Sequence, residues 1–88
     1  MFRLWLKIWK DNRLVEDTVV ENDERDTRTH KVFHAVTAAC REFDLAEPIW
    51  LDSVIRDFKR HARARFTRDC FVEELDFDYL EIWVIEED

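Results

Sequence analysis

Glycine is absent from this 88-residue chain. Every motif that needs a backbone position without a Cβ is thereby excluded: the phosphate-binding P-loop, the dinucleotide GxGxxG turn and the nucleophile elbow. Positive-φ turn positions must instead fall to Asn and Asp, the next most tolerant residues. Asn12 and Asn22 are the only asparagines, each beside an aspartate and each where a strand should end. Long apolar runs are also missing. None approaches the roughly 18–20 residues of a membrane helix, so no membrane span is expected. Met1 to Lys10 alternates apolar and basic residues and has no continuous apolar stretch, so it does not read as a signal peptide. Cysteine is sparse. Cys40 and Cys70 form no CxxC, and they read as reduced, buried thiols of a cytoplasmic protein.

What is present is large and apolar. Four Trp and seven Phe are many for a chain of this length. One domain spanning residues 1–88 is expected. A domain this small buries only about 60–65% of its unfolded surface. Each buried aromatic removes about 150–250 Å² from water, so a few of them can carry the core.

Residues 2–9 alternate strictly. Phe2, Leu4, Leu6 and Ile8 point one way; Arg3, Trp5, Lys7 and Trp9 point the other. That period marks a half-buried strand. Asp11-Asn12 suits a two-residue hairpin loop, and residues 14–21 supply the returning strand. A polar loop follows, in which Asp26, Thr27 or Thr29 can cap a helix. From Arg28 to Phe43 the apolar positions Val32, Phe33, Val36, Ala39, Cys40 and Phe43 fall in one stripe about 120° wide, the pattern of an amphipathic helix. Pro48 to Leu51 reads as a strand or a packed loop. Asp52 or Ser53 then caps a second helix, buried through Val54, Ile55, Phe58 and Ala62 and ending near Arg63. Ala64 to Thr67 suits a short strand, and Thr67 or Asp69 could cap one helical turn through Glu74. The last strand is clearer. Leu80, Ile82 and Val84 face one side and Tyr79, Glu81, Trp83 and Ile85 the other. Apolar residues on both faces suggest a central position. The fold class is therefore α+β: an N-terminal hairpin and two amphipathic helices on one face of a mainly antiparallel sheet of three to five strands that includes the C-terminal strand.

Catalytic chemistry is poorly provided for. His30 and His34 have the i, i+4 spacing that can place two imidazoles on one metal. They lie opposite the apolar stripe with no third ligand nearby in sequence, so no metal site is expected. Ser53 is the only serine. Cys40 sits on the apolar stripe, where a thiol is inert. Acid pairs such as Asp76/Asp78 carry little information among twenty-one acids. The chain reads as a non-enzyme without a cofactor.

Three surfaces are distinctive. Arg56, Lys59, Arg60 and Arg63 share the outer face of the second helix and could meet phosphates. A net charge of −7 argues against a general nucleic-acid binder. From Asp69 to Asp88 there are nine acids and no Lys or Arg. That stretch could imitate nucleic acid towards a basic protein, or it could pair internally beside the Arg3/Lys7 strand. The third surface is the strand face bearing Trp5, Trp9 and, across the sheet, Trp83, together with Arg3 and Lys7. If the helices cover the Phe2/Leu4/Leu6/Ile8 side, these rings form an apolar patch of the kind that binds a protein, a second copy of the chain included.

Leu6 to Asn12, Pro48 to Ser53 and Asp76 to Ile82 are similar to segments of short uncharacterised proteins of Clostridia-type Gram-positive bacteria. The similarity runs nearly end to end. It includes no functional motif, so it implies neither an activity nor a site residue.

Overall fold

The computed structural model describes residues 1–87. Strands β1 (Phe2–Lys10) and β2 (Arg13–Asn22) form the hairpin, followed by helices α1 (Arg28–Glu42) and α2 (Asp52–His61) and strands β3 (Arg63–Thr67) and β4 (Tyr79–Glu86). All neighbours in the sheet are antiparallel, in the order β2-β1-β4-β3. The strands β1 and β4 thus occupy the centre, where both edges are paired with neighbouring strands. The α+β expectation holds, with both helices on one side.

The hairpin turns where the sequence requires it. Asp11 and Asn12 adopt φ of 52° and 63°, the left-handed pair of a type I′ turn. Thr27 caps α1, its hydroxyl accepting the His30 N–H at 3.2 Å. Neither Asp52 nor Ser53 caps α2. Leu51 occupies that position without a side-chain bond, so the expected cap is corrected to a plain backbone start. Pro48 to Leu51 forms no strand, because the Ile49 N–H bonds out to the Cys70 carbonyl instead of joining a ladder. The helical turn foreseen through Glu74 shrinks to a 3₁₀ turn, Arg68–Cys70.

Ala62 closes α2 in the left-handed region, φ 55° and ψ 27°. Without glycine in the sequence, alanine takes a position that costs an L-residue about 1–2 kcal/mol. Ala62→Gly relieves that strain and loosens the unfolded chain by about 0.4–1 kcal/mol. A net stabilisation of about 0.5–1 kcal/mol is the expected outcome of urea denaturation, and a loss of stability would contradict it.

The core fills the inner side of the sheet. Leu4, Leu6, Phe66, Leu80 and Ile82 are fully buried there, against Val32, Val36, Ala39 and Cys40 of α1 and Val54 and Phe58 of α2. Phe33 departs from the expected stripe. It is exposed and meets Trp50 edge-on at 5.3 Å, while Ala35 takes its place inside. Trp50 in turn meets Phe66 at 4.8 Å and Phe58 at 6.2 Å, which wedges the 48–51 loop under α2.

Candidate functional site

Among the described residues, the outer side of the sheet bears no helix. Trp5, Trp9, Trp83 and Tyr79 lie outside the hydrophobic core and its fringe. Strand register arranges this face in rows that cross the strands. Val19, Trp5, Trp83 and Arg63 form one row; Asp17, Lys7, Glu81 and Arg65 the next; Leu14, Trp9, Tyr79 and Thr67 the third. Aromatic rows thus flank a charged one. A fourth row, Glu21, Arg3 and Glu86, closes the far end, and Arg3 Nε lies 2.9 Å and 3.1 Å from the two carboxylates.

The central charged pair is buried by its neighbours' side chains. Lys7 and Glu81 are 6% and 8% exposed although no helix among the described residues lies on this side of the sheet. Lys7 Nζ is 3.3 Å from Glu81 Oε1, and lies 3.8 Å from the Trp5 ring centre and 4.7 Å from that of Trp83. The indole N–H of Trp9 donates to the same Glu81 oxygen at 3.1 Å. Trp5 and Trp83 stack with centroids 6.1 Å apart and planes 14° from parallel, and the Trp5 N–H donates to Asp17 at 2.8 Å. Arg63 and Arg65 lie over Trp83 and Tyr79 at 5.1 Å and 4.6 Å. Cation–π contacts of this kind contribute about 0.5–2 kcal/mol each as desolvation increases. Trp5 and Trp9 are half-buried by this mutual packing, whereas Trp83, Val19 and Leu14 remain exposed.

Arg3, Lys7, Trp5, Trp9 and Trp83 therefore do share one face, as the alternation implies. The helix-two patch does not survive intact. Arg56, Lys59 and Arg60 are exposed on α2, but α2 ends at His61 and Arg63 belongs to β3. The left-handed turn at Ala62 carries Arg63 off the helix and over Trp83. Sequence reasoning missed Arg65 and Asp17 as parts of the outer face, since their membership depends on which strands become neighbours.

The C-terminal acids are largely engaged within the fold. Glu81 pairs with Lys7, Glu86 with Arg3, and Asp78 with Arg68 at 3.3 Å, while Glu73 accepts the Ala46 N–H at 3.1 Å. Asp88 lies outside the described residues.

No family model, curated protein or solved structure matches this chain.

Other candidate chemistry stays apart. His30 bonds Asp26 at 2.9 Å and stacks on His34, and this bond holds the Asp26 carboxyl below its usual range. Among the described residues no group of three or more His, Cys, Asp or Glu is placed to hold a metal ion. A cleft of about 590 Å³ follows the β3 edge and includes Ser53, Asp57 and His61. Ser53 and His61 are eight residues apart on one helix, hence about 12 Å along its axis, far beyond proton-transfer distance. No helix among the described residues is long and apolar enough to cross a membrane.

Cys40 and Cys70 are free and buried. Burial pushes the Cys40 thiol up to about 11 and raises that of Cys70. A thiol raised by folding favours the fold below its ordinary value of about 8.5. That contribution is lost as pH climbs through about 11. The melting temperature is expected to drop between pH ~9 and ~11, and Cys40→Ala to flatten the drop. Rapid labelling of either cysteine by a thiol reagent in the folded protein at neutral pH would contradict the burial on which this rests.

Proposed function

We propose that this chain is a small non-enzymatic protein-docking domain, with the outer sheet face bearing Trp5, Trp9, Trp83, Arg3 and Lys7 as its docking surface. The observation that carries the reading is a sheet with both helices on one face and ordered aromatic rows on the other. Exposed Trp83, Val19 and Leu14 give that face an apolar surface rimmed by charge. Such surfaces mark interaction sites, and tryptophan and arginine are enriched where binding energy concentrates. Two free, buried cysteines are in keeping with action in the reducing cytoplasm.

The same face is poorly suited to nucleic acid. Binding of single strands relies on open ring faces on which bases stack. Here the rings of Trp5 and Trp83 are already stacked on each other and engaged by Lys7 and Arg63. On α2, three cations remain of the basic patch, in a chain of charge −7.

The test is site-specific photo-crosslinking in extracts of the producing cells. A photoreactive residue at Val19, on the outer face, is expected to capture a protein, and Trp83→Asp to abolish the capture. The same probe at Ala38, exposed on α1, serves as the control. Capture at Val19 no greater than at Ala38 would overturn the reading.

A further inference from the structure

We propose that the occupant of the outer face is a second copy of this chain, docked sheet to sheet about a two-fold axis running along the strands. This rests on the reading of that face as a docking surface, and it names the partner. The argument is the order of charges. From β2 to β3 the central row reads Asp17, Lys7, Glu81, Arg65: minus, plus, minus, plus.

A two-fold axis parallel to the strands keeps each row at its own height and reverses it from side to side. Arg65 of one copy then faces Asp17 of the other, and Lys7 faces Glu81. In the neighbouring row Trp5 faces Trp83. The match of the exposed Arg65 and Asp17 occurs at two symmetric places, the signature of an isologous interface. A two-fold axis across the strands would instead set β2 on β2 and Asp17 on Asp17. The rows thus select one orientation, and opposite potentials across an interface fix register and orientation. Aligned sheets cross at about 30°, so the match is closest near the axis and loosens towards the rims.

The edge of β2 is a weaker route to self-association. Val15 bulges out of register between Glu16 and Leu14, and Glu16 and Asp17 follow it in the strand. A bulge and edge charges both oppose strand-to-strand pairing. The face itself is about 19 Å by about 26 Å, from four strands and eight residues of rise. Specific interfaces bury about 800 Å² per partner, so this face is small and a dissociation constant on the order of micromolar is expected.

Sedimentation from about 0.1 µM to about 100 µM brackets that affinity and is the experiment. The wild-type chain is expected to pass from monomer to dimer. Arg65→Glu and Asp17→Lys, each alone, are expected to weaken the dimer about tenfold, because each sets like charges together at two symmetric places. An equimolar mixture of the two variants is expected to restore it, since Glu at position 65 of one then meets Lys at 17 of the other and the remaining Arg65–Asp17 pair is intact. Circular dichroism verifies folding. Should Asp17→Lys not fold, Val19→Lys replaces it, setting a cation against Arg63 of the other copy, and must likewise weaken the dimer about tenfold. A monomer at every concentration overturns self-docking. So does a dimer indifferent to the substitutions, or a mixture that fails to recover. A monomer whose Val19 still captures another protein leaves the docking surface standing; a monomer with no capture at Val19 removes both.

Discussion

Glu81→Leu alone is expected to destabilise the fold by about 3–5 kcal/mol, the cost of leaving one buried charge without its partner. Lys7 would keep its ammonium beneath Trp5 and Trp83 with its carboxylate gone. Trp9 would also lose the acceptor of its N–H. A chain of this length has a total stability of about 4–13 kcal/mol, so the variant should be marginal at room temperature. The double variant Lys7→Met, Glu81→Leu is expected to behave in the opposite way. Removing both charges also removes both desolvation costs, and buried ion pairs replaced by apolar residues of similar volume often leave a protein unchanged or about 1–4 kcal/mol more stable. Urea denaturation of the wild type, the single and the double variant checks this. A single variant within about 1 kcal/mol of wild type would mean that the pair is hydrated and the aromatic rows do not shield it.

Phe66→Ala is the second large effect, expected to cost about 3–5 kcal/mol. Phe66 sits on β3 with no exposed surface, and Trp50 meets it edge-on at 4.8 Å. β3 has only five residues and pairs with β4 alone, so its attachment to the sheet depends on this ring. The cavity would also undercut the 48–51 loop, because Trp50 is the wedge between that loop, α2 and β3. Tryptophan fluorescence should shift towards that of a hydrated indole before global unfolding. Loss of stability below about 1 kcal/mol would show that the neighbours collapse into the space.

Much of this architecture was legible in the residues. Phe2, Leu4, Leu6 and Ile8 face the core because side chains alternate along a strand, and that alternation is a local property. Asp11-Asn12 makes the turn because only residues tolerant of positive φ fit it, and no glycine competes. The two-sided apolar pattern of β4 placed it centrally. Arg3 and Lys7 beside the acidic last strand became the pairs Arg3–Glu86 and Lys7–Glu81.

The misses share one cause. Phe33 fitted the helical stripe, yet Trp50 arrived at the stripe's edge and held it outside. Arg63 continued the helix-two pattern, yet Ala62 took left-handed angles that alanine seldom adopts, so β3 could begin early and reach β4. Both outcomes are tertiary contacts overriding a local preference.

The tryptophan-bearing strand face shows the division most clearly. The sequence by itself determined that Trp5 and Trp9 share a side with Arg3 and Lys7, since strand periodicity leaves no other arrangement. Only the tertiary structure decided their neighbours. The order β2-β1-β4-β3 set Trp83 and Tyr79 beside them, brought Glu81 against Lys7, and placed Asp17 at one rim and Arg65 at the other. Strand order depends on contacts between residues far apart in the chain, and no local pattern encodes it.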